Sequence, residues 1–175
     1  MKLKFWIFAI IILVSLSVLR SSHAASSYVL PYPSQMPGSK FYKINQAMEK
    51  ISYFWYFGNF GKSYYYQRLS DKYLVEAKTL FEYKQYLLAY TSLLKSNQYF
   101  EKIYPYLLSA KVEGKNISEK HKIFRQEGLK HIEELNKLRK STPEEFLWTP
   151  EKAKPTHLNI RSLIDASENI RKKYL

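Results

Sequence analysis

The sequence predicts an all-α fold: an antiparallel bundle of three to four main helices with an N-terminal proline-rich arm and a short C-terminal helix. Three observations predict it. Apolar side chains recur at steps of three and four residues in successive segments, the spacing of one buried helix face. No segment carries the alternating pattern of a strand. Only 5 glycines occur in 175 residues, too few for a turn-rich all-β chain. Stripes of this kind bury against one another, because a lone amphipathic helix is marginal in water.

Four regions follow along the chain. Residues 1–24 read as a secretory leader: Lys2 and Lys4 open it, residues 5–19 are apolar or small without a charge, and Ser22-His23-Ala24 offers small residues where a signal peptidase cuts. The alternative is an uncleaved anchor, although a helix over that run rises only about 22 Å against a hydrocarbon core of about 30 Å. Residues 25–38 form an arm in which Pro31, Pro33 and Pro37 forbid helix. A bundle domain spans residues 39–140 and a helical extension residues 141–175.

Within the bundle, the first stripe is Phe41, Ile44, Met48, Ile51 and Trp55, with Lys43, Asn45, Gln46, Glu49 and Lys50 opposite it. Gly58 and Gly61 punctuate its end. A second helix over residues 62–85 carries Tyr66, Leu69, Tyr73, Ala77 and Leu80 on one face. A third, over residues 86–110, carries Tyr86, Tyr90, Leu93, Asn97, Phe100, Tyr104 and Leu107, with a kink or break expected at Pro105. No Gly or Pro separates the second and third helices, so one long bent helix is the alternative. Asn116 and Glu119 resemble a capping box before a fourth helix, whose stripe is Phe124, Gly128, His131 or Ile132, Leu135 and Leu138. Thr142-Pro143-Glu144-Glu145 has the N-cap and N1 chemistry of a further short helix. A last helix over residues 159–174 carries Ile160, Leu163, Ile164, Ile170 and Tyr174, and either docks on the bundle or projects from it.

Composition excludes several classes of chemistry. With no Cys there is no disulfide framework, thiol nucleophile, Cys-built zinc site or lipid-modified cysteine. No nucleophile elbow, dinucleotide fingerprint, phosphate loop or EF-hand occurs. His121 and His131 stand about 15 Å apart along one helix, too far to share an ion, and read with His157 as surface or helix-flank residues. Glu133-Glu134 and Glu144-Glu145 diverge by about 100° as helix neighbours and make poor acid/base pairs. Two polar residues stand out as structural. Glu76 lies at the edge of the second stripe, either paired with Lys72 or half-buried as an anchor. Asn97 sits on the apolar stripe, where such a residue fixes packing register. The expectation is therefore no catalytic residues, no metal and no cofactor. Asn116-Ile117-Ser118 matches a glycosylation acceptor and counts only in a host that glycosylates.

The most unusual feature is aromatic: nine of the fourteen residues from 53 to 66 are Tyr, Phe or Trp. One buried stripe cannot hold them all. They either pack beneath the arm around Tyr28 and Tyr32 or form a contact patch built of Tyr56, Phe57, Phe60, Lys62 and Tyr64. Aromatic faces stack on sugar rings and favour membrane headgroups. Net charge is +13, and +10 once Lys2, Lys4 and Arg20 leave with the leader. Outside the cytoplasm that charge points to an anionic cell-surface polymer, a membrane surface or another envelope protein, and no nucleic acid is expected.

The block Tyr28-Val29-Leu30-Pro31-Tyr32-Pro33, Met36-Pro37-Gly38-Ser39, Tyr42-Lys43 and then Leu69-Ser70-Asp71-Lys72-Tyr73-Leu74-Val75-Glu76-Ala77 resembles a bacterial family of secreted or membrane-anchored helical domains of unknown function, over about residues 28–107. The resemblance implies an extracytoplasmic helical module and no activity. The reading is a non-enzymatic module for adhesion or scaffolding at the cell envelope. Its alternatives are an envelope enzyme acting on glycan or cell-wall substrates, with Glu76 as its acid, and a regulatory partner-binding domain.

Overall fold

The computed structural model describes residues 26–175, so the leader over residues 1–24 lies outside the described residues. Its order is α1 (Tyr42–Ser52), a 3-10 turn (Tyr53–Trp55), α2 (Gly58–Glu82), α3 (Tyr86–Val112), α4 (Ser118–Ser141), β1 (Glu145–Trp148), β2 (Thr156–Asn159) and α5 (Ile160–Lys172). The all-α bundle is present, with one small two-stranded hairpin added. Among the described residues no helix is long and apolar enough to cross a membrane.

Helices α2 and α3 form the backbone of the bundle, and they are two helices rather than one bent rod. Lys84 takes the left-handed conformation (φ 57°). Its N–H then bonds Phe81 O at 3.0 Å and that of Gln85 bonds Leu80 O at 2.8 Å, which terminates α2 without a glycine. Gly114 (φ 79°) ends α3 by the same pair of bonds. Small residues let α2 and α3 approach: Ser70 Oγ donates to Ser96 O at 3.3 Å, and Ser96 Oγ donates back to Ser70 O at 2.9 Å. Pro105 does not break α3, which continues from Tyr86 to Val112. The proline lies on the exposed face, where water can take the carbonyl it leaves free.

The main core joins Leu74, Ala77 and Leu80 of α2, Leu93 of α3, Leu135 and Leu138 of α4, and Ile160, Leu163 and Ile164 of α5. The C-terminal helix therefore docks. Asn159 caps it by accepting the Ser162 N–H at 2.8 Å. A second cluster holds Phe100, Ile103, Leu107 and Phe124, and a third Tyr65, Leu69 and Tyr73.

Three local expectations are corrected. Thr142 to Glu145 opens β1, not a helix. The segment pairs with β2 instead, and the register sets half-buried Phe146 opposite buried Leu158, with the Phe146 ring 4.6 Å from that of Tyr86. Asn116 Oδ1 accepts the Ser118 N–H at 2.9 Å, an Asx turn just before α4 rather than a capping box. The glycines after α1 begin α2 instead of ending α1. At Gly61 a Cβ would sit 3.0 Å from the carbonyl carbon of Tyr56, so the chain passes there only because the side chain is absent.

The fourth correction is larger. The stripe Phe41, Ile44, Met48, Ile51 and Trp55 does not face the bundle: these residues are 58, 56, 46, 48 and 63% exposed, and α1 buries none of its residues. Its polar face turns inward instead. Tyr42 donates its hydroxyl to Glu76 Oε1 at 2.8 Å. Glu49 pairs with Lys72, accepts the Tyr73 hydroxyl at 3.0 Å, and offers its backbone oxygen to Tyr65 at 3.1 Å. The helix is amphipathic as the spacing predicts, but hydrogen bonds to the tyrosines of α2 orient it the other way round.

Candidate functional site

Between the main core and the Phe100–Phe124 cluster lies a layer of buried polar side chains. Asp71 comes from α2, Ser96 and Asn97 from α3, Glu127 and His131 from α4, and Ser167 and Arg171 from α5, all buried. Each lies in register with its helix's buried stripe, one turn from an apolar neighbour. His131 Nε2 lies 2.7 Å from Asp71 Oδ1. Arg171 Nε donates to His131 Nδ1 at 3.4 Å, and the rest of its guanidinium reaches Asn97 Oδ1, Ser167 O at 3.0 Å and Ser96 Oγ at 2.9 Å. It also stacks 4.9 Å above the Phe100 ring. From the arm, Tyr28 donates its hydroxyl to Asp71 Oδ2 at 2.6 Å and accepts from Gln67 at 3.2 Å.

This geometry assigns the protons. A guanidinium only donates, so His131 Nδ1 is the acceptor and Nε2–H points at Asp71. Burial pulls the imidazole pKa down, against the raising effect of Asp71, so the ring is neutral at neutral pH. Burial also lowers the Arg171 pKa, to about 9, which leaves the guanidinium charged. A neutral imidazole therefore bridges an anion and a cation.

Glu127 is fully buried, and neither of its carboxylate oxygens has a hydrogen-bond partner. Burial, followed by the nearby Asp71 charge, pushes its pKa well above the ordinary value. Asp71, Glu127 and His131 each place a ligand atom within 4.8 Å of the other two, a donor set suited to a cation. Arg171 already supplies one positive charge. A protonated Glu127 makes the layer neutral, whereas a divalent ion beside two carboxylates and Arg171 leaves a buried surplus of one positive charge.

A pH prediction follows. Below the unfolded value near 4.5, Glu127 is protonated folded or unfolded and has no net effect. Above it, the unfolded chain releases a proton that the folded chain retains, so stability falls as pH rises toward the folded pKa. Glu127→Gln is therefore expected to match the parent near pH 4 and exceed its melting temperature at pH 7–8. A loss of stability in the variant at pH 7–8 would mean an ionised, partnered carboxylate.

Beside this layer runs a cleft of about 930 Å³ between the arm and helices α1 to α4. Trp55, Tyr56, Phe60 and Tyr64 wall it, Tyr28 and Asp71 lie along it, and Arg68 and Lys120 bring cations to it. Neither cation has a carboxylate partner among the described residues. Arg68 instead donates to the Tyr56 hydroxyl, 5.8 Å over that ring. The arm is pinned across the cleft at Tyr28 and by Ser26 Oγ, which donates to Gln126 O at 2.8 Å.

The five aromatic-patch residues divide. Tyr56, Phe60 and Tyr64 line the cleft. Phe57 lies outside it and is 82% exposed, while Lys62 turns back over the Tyr53 ring at 3.2 Å. Glu76 is not paired with Lys72, which turns to Glu49. It is buried between α1 and α3, accepting from Tyr42 and from Ser92 Oγ at 2.7 Å. Asn97 is buried and donates to Ser167 Oγ at 2.8 Å, tying α3 to α5. His131 is not a flank residue, since it is fully buried; His121 is half-buried and His157 exposed. Sequence reasoning missed Asp71, Glu127, His131 and Arg171 as a group. The available signal was a charged or imidazole side chain in register with an apolar stripe, at His131 and again at Arg171, seven residues after Ile164.

Among comparisons with known proteins, a family described as Domain of unknown function (DUF5667) matches residues 34–145. No curated protein and no solved structure matches the chain.

Proposed function

We infer, from the premise that the chain belongs to this family of unknown function, that its role is carried by the cleft: it is a non-enzymatic binding module of the cell envelope, and its ligand is an anionic surface polymer. The observation that carries the reading is the pairing, in one groove, of aromatic walls with cations that have no carboxylate partner among the described residues. Trp55, Tyr56, Phe60 and Tyr64 offer faces on which sugar rings stack, and Arg68 and Lys120 meet carboxylate or phosphate groups. The two carboxylates along the groove support binding over catalysis. Glu49 is occupied by Lys72 and Tyr73, and Asp71 by Tyr28 and His131, so neither is free to take up a substrate proton. The basic exterior adds long-range attraction to the same ligand class.

The test is titration of the protein with an anionic polysaccharide and its neutral counterpart across a salt series. Binding is expected for the anionic polymer and weakens with salt. Arg68→Ala is expected to lower affinity about tenfold, the scale of one charge-assisted contact. Tyr64→Ala is expected to lower it at every salt concentration, because stacking is not screened. Equal affinity for both polymers, or no effect of either substitution, overturns the reading.

A further inference from the structure

We propose that the outward face of α1 and the turn after it is a membrane-contact surface, whose occupant is the headgroup–acyl boundary of an anionic lipid layer. This surface adjoins the cleft at Met48 and Trp55 but rests on a different observation, the inverted helix. Phe41, Ile44, Met48 and Ile51 are exposed along α1, and Phe54, Trp55 and Phe57 are exposed in the turn after it. Seven large apolar side chains exposed within 17 residues exceed the scattered exposure normal for a soluble surface.

Charge and aromatic content select lipid among the possible occupants. The segment from residue 26 to residue 62 holds Lys40, Lys43, Lys50 and Lys62 but a single acid, Glu49, which turns inward to Lys72. The outer face is therefore apolar and bordered only by cations. Lys43 and Lys50, seven residues apart, flank one side of the stripe, and neither has a carboxylate partner among the described residues. An apolar face edged with Lys and ending in Trp and Phe is the pattern of a helix that lies in the plane of a membrane interface, sunk ~5–10 Å into it. Tryptophan at one end suits the headgroup level, and the lysine stems reach up to the phosphates.

The inward face explains how such a helix is held in place. Tyr42 and Glu49 lock α1 to α2 through hydrogen bonds that need no apolar burial. The bundle can therefore fold with the stripe still free. On a membrane the cleft opens at the side of the same helix, since Met48 and Trp55 also border it. A polymer lying close to the lipid surface is within its reach.

The absence of cysteine permits a position-specific test on the full chain. Ile44→Cys and Ile51→Cys, each carrying an environment-sensitive fluorophore, report on the α1 face. Leu94→Cys and Leu108→Cys, at exposed apolar positions of α3, serve as controls. With phosphatidylglycerol vesicles, emission at 44 and 51 is expected to shift to the blue and brighten severalfold, while positions 94 and 108 stay unchanged. Phosphatidylcholine vesicles are expected to give a smaller shift. Three outcomes overturn the proposal: no shift at 44 and 51, an equal shift at all four positions, or a blue-shifted signal already present without lipid. In the last case, loss of the signal on dilution assigns the face to a second copy, and independence of concentration assigns it to the apolar run at residues 5–19. The polymer titration is done without lipid, so either proposal can fail alone.

Discussion

A chain stopped after Glu145, the last residue of the family match, is expected not to fold. The match takes in α1 to α4 but omits β2 and α5, and with them Leu158, Ile160, Leu163 and Ile164 of the main core. Emptying one such site costs about 2–5 kcal/mol, and a domain has only about 5–15 kcal/mol in total. Four lost together exhaust it. The truncation also removes Arg171 from the polar layer, leaving Asp71 without its bridged cation. Far-UV circular dichroism and urea unfolding of the full and shortened chains check this. The full chain is expected to unfold in one cooperative transition and the shortened one to show none. A shortened chain with the same midpoint would mean that α5 is an accessory.

Arg171→Ala is expected to cost about 3–5 kcal/mol in the intact protein, the scale for removing one member of a buried charged pair. The side chain is fully buried and serves Asn97, Ser96, Ser167 and His131 at once while covering Phe100. Lysine cannot replace that fork, so Arg171→Lys is expected to recover little. The sign of the coupling is the sharper test. Asp71→Asn removes the anion that Arg171 balances through His131, so the double variant is expected to lose less than the two single losses added together. Urea midpoints of the four proteins give the coupling energy, and strict additivity would show that His131 transmits nothing between the two charges.

How far these features could be read in advance depended on whether their cause was local. The stripes of α2, α3 and α4 were legible because a buried helix face repeats within a few residues, and Leu69, Leu93, Phe100, Phe124 and Leu135 are buried as that spacing requires. For α1 the same periodicity predicts an amphipathic helix, but its apolar face turns outward. Spacing reports that a helix has two faces, and the tyrosines of α2 decide which one turns in. The β1 segment failed because capping chemistry at Thr142 is also turn chemistry, and Leu158, its pairing partner, lies beyond a proline-rich stretch. The polar layer was not legible at all as a unit. Its members sit at positions 71, 96, 97, 127, 131, 167 and 171, and no short-range rule links the set across four helices. Asn97 is legible by itself as a structural polar residue, because its own helix is enough to show that a polar group stands where an apolar one belongs.

The placing of α5 sets the order in which the molecule can be completed during synthesis. Helices α2 and α3 need only a three-residue turn to meet, so that hairpin can form as soon as it leaves the ribosome. The wall against which it closes includes α5, which emerges only after α4 and the β-hairpin. The growing polypeptide thus carries an unfinished interior until α5 has emerged.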